Sequence, residues 1–398
     1  MKKRYQEDLS YFLDYVELKR GRKLDKKYPN ESMHLDFYFL HNKNELNDFI
    51  KNFIKKYKIK DDYDFYYLMN SIVKYMSGYV DAHTRVIMGY NYNSYPISIR
   101  SFNDKIYIEK CNDVKYNYSE LFEINEVDIK KIIEEVEKCI CYGTNNFFLY
   151  KLHFYLNDKN ILLSLPSINS NSKWIEYKTS KGTIKYDVDK DYSNQISDVK
   201  KEDFKQIQIR NNILIFRYPR CTVKFIPNIK EIKKLVYDNN IDIFVLDLRG
   251  NTGGQSSLID PLIRYLKQSK LKLVTLVNRS VFSSGRWAAI DMVRIGSKVV
   301  GQDIGTPINC FGYTLANGKL PNTKLSFELA SVYWYENKNH VMKGIYTKKK
   351  LHKMPKNFYD PKYLKIDYYI NLTIDDYKFE NDVMLDKCCE WINNTFNK

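Results

Sequence analysis

Residues Ile243-Phe-Val-Leu-Asp247 form an unbroken apolar run, and they open at once into Leu-Arg-Gly-Asn-Thr-Gly-Gly254. A strand apolar on both sides is one covered on both faces, which belongs in the middle of a parallel sheet. The pattern around it agrees. From about residue 206 strands and helices alternate: Ile213–Phe216, a helix near 228–238, the run at 243–247, a helix near 256–267, Leu273–Val277, a helix from Ser283, and Lys298–Val300. Such βαβα alternation predicts an α/β fold with a mainly parallel sheet between helices.

Upstream the periodicity changes twice. Leu9, Phe12, Leu13 and Val16, then Leu46, Phe49, Ile50 and Phe53, then Tyr66, Leu68, Ile72 and Val73 recur at helical spacing, which predicts a helical N-terminal domain over 1–92. Short alternating runs such as Lys105–Glu109, around one amphipathic helix at 127–139, predict a small α/β module over 93–205. The third domain is then 206–398. At 398 residues the chain is long enough for several cores.

Composition excludes more than it selects. The net charge is +16, but the lysines are interleaved with acids along the whole chain, so no nucleic-acid partner is expected. No window approaches the roughly 20 apolar residues of a membrane span. The seven cysteines are an odd, scattered set. Together with an N-terminus that lacks an apolar run, they favour a reducing, cytoplasmic setting. Cys139-x-Cys141 and Cys388-Cys389 have the wrong spacing for zinc, so neither metal nor cofactor is expected.

The chemistry concentrates where strands end. Gly253 and Gly254 let the backbone aim its amides at one point, as an oxyanion requires; a plain tight turn would read the same way. Ser283 falls at the start of a helix, where unpaired amides and the dipole favour negative charge. On residue type alone it reads equally as an N-cap.

These motifs resemble, in order, those of the C-terminal processing, or tail-specific, serine peptidases. Asp247–Gly254 is similar to the family's D-L-R-x-N-x-G-G, and Val281–Gly285 to its T-F-S nucleophile segment. Val299-Val-Gly-Gln302 with Gly305 resembles V-G-E-x-x-G. Tyr79-Val-Asp-Ala-His-Thr84 resembles G-D-G-H-T, Leu121–Ile129 the I-x-S-I-N-G-x-x-I stretch, and Ile366–Ile370 the P-D-I-x-V segment. Residues 305–310 read Gly-Thr-Pro-Ile-Asn-Cys, without the lysine that one branch uses as base. The resemblance therefore points to the tricorn-core-like branch, whose base is an upstream histidine, and His83 stands in that place. It implies a crotonase/ClpP-like catalytic domain, a PDZ-like or degenerate middle module and a peptide or protein substrate, with an oligomer compatible.

In the implied mechanism Ser283 is the nucleophile and His83 its general base. Gly253, Gly254 and Ser284 would supply oxyanion-hole amides. Asp81, Glu336 or Asp367 would orient the imidazole. Where the family often has an acid, Arg286 reverses the charge, suggesting either a contact for acidic substrates or a decayed site. The alternative reading is therefore a pseudopeptidase that binds peptides without cutting them.

Overall fold

The computed structural model describes residues 1–16, 42–77, 81–89, 94–102, 105–195, 205–313, 316–345, 353–354, 361–378 and 381–396. Tyr79 and Val80 of the histidine motif, and His34, His41 and His352, lie outside these. The chain forms two compact units. The first is Met1–Lys201, Asn309–Trp334 and Gly344–Asp360; the second is Glu202–Ile308, Tyr335–Lys343 and Pro361–Lys398. The helical and strand-rich segments, expected as separate domains, share a unit and take in two later segments.

The first unit opens with helices α1 (Lys3–Val16), α2 (Lys43–Lys56) and α3 (Asp62–Ser77). Their apolar stripes are the ones the periodicity marks: Leu9, Phe12 and Val16, Leu46, Ile50 and Phe53, and Leu68, Ile72 and Val73 are buried. Asn42 starts α2 with a reciprocal capping box, its side chain accepting from the Glu45 amide while Glu45 accepts from its own. Then come β1 (Arg85–Ile87), β2 (Ile97–Phe102), β3 (Lys105–Cys111), β4 (Ser119–Ile124) and β5 (Val127–Asp128). Helices α4 (Ile129–Glu137), α5 (Asn145–Tyr155) and α6 (Lys159–Ser164) follow, with β6 (Trp174–Thr179) and β7 (Gly182–Asp187). The strands make an antiparallel sheet in the order β2-β3-β4-β6-β7, with β5 off its path against β4. Helices α5 and α6 are additions to the single helix the sequence suggested.

The second unit holds the predicted parallel sheet. Its elements are β8 (Ile207–Arg210), β9 (Ile213–Arg217), α7 (Ile229–Asp238), β10 (Ile243–Asp247), α8 (Asp260–Gln268), β11 (Lys272–Val277), α9 (Ser284–Arg294) and β12 (Lys298–Gly301). The chain then returns to the first unit for β13 (Cys310–Gly312), β14 (Ala316–Lys319), β15 (Ser326–Leu329) and the start of β16 (Val332–Glu336), which leaves that unit after Trp334. There β1, β15 and β14 make one antiparallel sheet, and β13 pairs with β16 through Gly312↔Val332. After β17 (Met342–Ile345), β18 (Tyr368–Tyr369) and α10 (Val383–Phe396) complete the second unit.

The sheet order is β18-β12-β11-β10-β9-β8, parallel throughout except for the β8–β9 hairpin. All five residues of β10 are buried. One face packs Leu214, Phe216, Phe244 and Leu246 with residues of α7, α8 and α9; the other packs Ile213, Ile215, Val245 and Leu276 with Leu385, Cys388 and Ile392 of α10. Burial on both faces is why the strand sequences run apolar rather than alternating. Both β10 and β11 end at the same edge, so the loops after them meet there.

Candidate active site

Asp247 closes β10 and engages Arg249 through both carboxylate oxygens, Oδ1 to Nε at 2.9 Å and Oδ2 to Nη2 at 2.7 Å. The same guanidinium reaches Asp382 at 2.6 Å, at the start of α10. The Asp247 and Arg249 side chains are only 2% and 11% exposed, so this planar double pairing keeps two buried charges neutralised. Burial works to raise the Asp382 pKa, but its hydrogen bonds to Arg249 prevail and hold it below the usual carboxylate range.

Asn251 is fully buried and ties three pieces of chain together. Its Nδ2 donates to the Tyr218 carbonyl at 2.7 Å, its Oδ1 accepts from the Gly253 amide at 2.9 Å, and its carbonyl accepts from the Phe282 amide at 2.9 Å. The loop after β10 and the loop after β11 are thereby fixed to each other. The Gly250 amide adds a bond to Ser280 Oγ at 2.8 Å.

Between these loops sits Ser283, with φ +53° and ψ −121°. An L-residue enters this region only when its surroundings force it, at a cost of about 1–3 kcal/mol. Ser283 occupies the N-cap position of α9, yet its side chain makes no capping hydrogen bond. The capping reading of this serine is therefore not the one realised. Gly253 shows what holds it: at φ +105° a Cβ there would lie 2.7 Å from Ser283 Cβ and 2.9 Å from the Ser284 nitrogen. Only a glycine lets the loop back onto the serine this closely. Gly254, at φ +133°, is equally constrained, because a Cβ would meet the Cys221 carbonyl at 2.2 Å.

The three expected oxyanion donors divide. The Gly253 amide is committed to Asn251 Oδ1. The Gly254 and Ser284 amides have no acceptor among the described residues, and Ser284 opens α9, where an amide lacks an intrahelical partner. The Ser284 hydroxyl donates to the Gly254 carbonyl at 2.6 Å. That bond clamps the glycine loop to the first residue of α9.

Arg286 departs from expectation. It is 2% exposed and gives Nη1 to the Pro307 carbonyl at 3.1 Å. Its charge is directed inward, where it fixes the segment after β12, and it offers no surface to substrate.

His83 belongs to the first unit. The Asp81 carboxylate accepts from the His83 amide at 2.7 Å, the Thr84 amide at 3.1 Å and the Thr84 hydroxyl. It shapes the backbone beneath the histidine. Thr84 Oγ1 then accepts from the Ala330 amide at 3.0 Å, and the imidazole lies against the β13 backbone, where a Cβ on Gly312 would be 3.2 Å from its Cε1. Lys151, which the sequence did not single out, donates to the Ala82 carbonyl at 3.2 Å and the Cys141 carbonyl at 2.8 Å. Burial pushes its pKa down to about 8.

Of the other proposed orienting acids, Asp367 accepts from the Val299 amide at 2.8 Å and pairs with Lys298 at 3.6 Å. Glu336 accepts from His340 Nδ1 at 2.7 Å and from Lys362. Burial works to raise its pKa, and these two partners hold it low. Among the described residues no cluster of His, Cys, Asp and Glu is arranged to hold a metal, and no helix is long and apolar enough to cross a membrane.

No family model and no curated protein matches this chain. Solved structures do. Mature CPAF is similar over 99% of both chains at 11% identity, with a TM-score of 0.61. Mature CPAF complexed with lactacystin covers 99% of this chain and all of that one, at 10% identity and a TM-score of 0.59. The photosystem II D1 C-terminal processing protease matches at 10% identity over 92% and 93% of the two chains, with a TM-score of 0.40; nothing below rests on it. At these identities the likeness shows a shared fold: the chain is a mixed α/β protein built like mature CPAF along its whole length.

Proposed function

We propose that the protein is a serine peptidase of the C-terminal processing type, with Ser283 as nucleophile and His83 as general base. The observation that carries this is Ser283 itself, strained at φ +53° on a helix N-terminus, with its Cβ against Gly253. Strain of this kind persists where the surroundings over-determine it, and it gathers at reactive positions. The motif resemblance supplies the class of reaction, and the shared fold is compatible with it. The finer architecture that goes with this reading is a crotonase/ClpP-like sheet domain and a PDZ-like middle module.

In the proposed reaction Ser283 Oγ attacks a peptide carbonyl as His83 accepts its proton. The oxyanion of the tetrahedral intermediate is met by the Gly254 and Ser284 amides. Collapse expels the amine, which takes the proton from His83 and leaves an acyl-serine. Water, deprotonated by His83, then releases the acid and regenerates the serine. His83 has competition as the base, because Glu336 already holds the His340 imidazole as an orienting acid would.

The pseudopeptidase reading drew on Arg286; burial of that side chain argues against a substrate contact there and leaves the alternative to the test. The test is turnover of quenched fluorescent peptides, with the acyl-enzyme trapped by acid and located by mass spectrometry. An adduct on the peptide containing Ser283, absent in Ser283→Ala, is expected. Binding of those peptides without any adduct or cleavage would restore the pseudopeptidase. Lactacystin, bound in the neighbouring structure, is a first ligand to try.

A further inference from the structure

A cavity of ≈ 460 Å³ lies within the second unit, its lining starting one helical turn after Ser283 at Trp287 and two residues after Gly254 at Ser256. One wall is the face of α9 that starts at Ser283: Trp287, Asp291 and Arg294 follow it at one, two and three turns. The facing wall begins two residues beyond Gly254, with Ser256 and Ser257, and continues along the first turn of α8 with Ile263. Val341 and Met342 close a third side. They are held by a turn in which Asn337 and Val341 exchange bonds, the Val341 amide giving to Asn337 Oδ1 and the Asn337 amide to the Val341 carbonyl, both at 3.0 Å. Glu336, with His340 and Lys362, anchors the base of that turn.

The volume falls in the 300–1,000 Å³ range of ligand sites. Its charges cancel: Asp260 and Asp291 face Arg264 and Arg294, and Asp291 is already paired with Arg294 at 2.8 Å. The lining thus carries two acids and two bases with no net formal charge. What it offers is the indole of Trp287, with Ile263, Val341 and the thioether of Met342, surfaces suited to an aromatic ring.

We infer that this cavity is the specificity subsite of the enzyme, taking a bulky apolar, preferably aromatic, side chain of the substrate next to the bond attacked by Ser283. The inference rests on the peptidase reading above. It differs from the contact for acidic substrates that the position of Arg286 suggests in the sequence.

The experiment measures kcat/KM for peptides that carry Phe, Ala, Glu or Lys at each position within three residues of the scissile bond. Wild type, Trp287→Ala and Ser257→Trp are compared, the last filling the cavity from its exposed edge. Fluorophosphonate labelling at Ser283 reports an intact nucleophile in each. Phe should exceed Ala by about 10-fold to 200-fold at one position, the range for burying an extra apolar group in a pocket. Both variants should reduce that ratio to about threefold or less. A labelled wild type that prefers Glu or Lys, or shows no preference, overturns the inference and leaves the peptidase reading standing. So does a Phe preference that survives in both variants. A folded wild type without labelling removes both.

Discussion

The serine and the histidine are held in different ways. Around Ser283 the backbone is strained and over-determined: Asn251 binds both loops, Gly253 leaves no room for a Cβ against the serine, and Ser284 is pinned to Gly254. Around His83 the backbone is relaxed and supported from below, by the Asp81 carboxylate on two amides and by Lys151 on the Ala82 carbonyl. On the proposed reading, rigid main chain presents the nucleophile at one angle to one carbonyl, while the base has to accept and return a proton.

Mutations can break this contrast. The largest effect is expected from Arg249→Ala, which leaves the buried Asp247 carboxylate without its counter-ion, keeping only the residue-249 amide, and should lower stability by about 3–5 kcal/mol in urea unfolding. Asn251→Ala leaves the Tyr218 carbonyl and Gly253 amide buried and unpaired. It should cost about 2–4 kcal/mol, two such groups at 1–3 kcal/mol each with partial relaxation. If the loops position Ser283, kcat must also fall while KM moves little. Asn251→Asp, which keeps the acceptor for Gly253, should recover part of that kcat; equal loss in both variants would reduce Asn251 to a stabilising role. Gly253→Ala combines a disfavoured φ with a 2.7 Å contact and should cost about 2–3 kcal/mol, abolishing Ser283 labelling. Ser284→Ala removes one partly exposed hydrogen bond and should cost about 1 kcal/mol, with labelling still at Ser283.

The two regions should also diverge with pH. The folded pKa of Asp382 is depressed, so the stability it contributes is present above the normal carboxylate pKa and is lost as pH falls through the lowered folded value. In Asp382→Asn that acid-side loss should diminish. Lys151 behaves oppositely, being a base whose pKa falls from 10.5 to about 8 in the folded state. Between those values the unfolded chain binds more protons, so its penalty fades as pH rises. The stability of wild type relative to Lys151→Met should therefore increase from pH 8 to 10.5. A flat difference would show that Lys151 is not held in the low-polarity setting that supports Ala82.

Much of the second unit was legible because a parallel sheet writes itself as uninterrupted apolar runs, and β9 to β12 fall where those runs are. The glycine loop and the serine at the head of α9 were legible for the same reason, as both follow directly from strand ends. Helices α5 and α6 were not. In α5 the apolar residues Phe147, Phe148, Leu149, Leu152 and Phe154 point to all sides, and α6 is buried at Asn160, Ile161, Leu162, Leu163 and Ser164, so no polar stripe marks a period. Thr144 and Asp158, whose side chains cap them, were the available signal. Strands β13 to β17 were missed as short runs that return to an earlier unit. Arg286 was misplaced because a guanidinium reads as surface, whereas here a carbonyl takes it inside. The role of Asn251 depends on partners some 30 residues away, which spacing within its own motif cannot reveal.

The most direct test of the central claim is labelling by a fluorophosphonate, with the modified residue mapped by mass spectrometry in wild type, Ser283→Ala, His83→Ala and His340→Ala. An activated Ser283 served by His83 predicts a single adduct on Ser283, lost in the first two variants and retained in the third. No adduct on folded wild type, an adduct on Ser284, or loss in His340→Ala with retention in His83→Ala would contradict it.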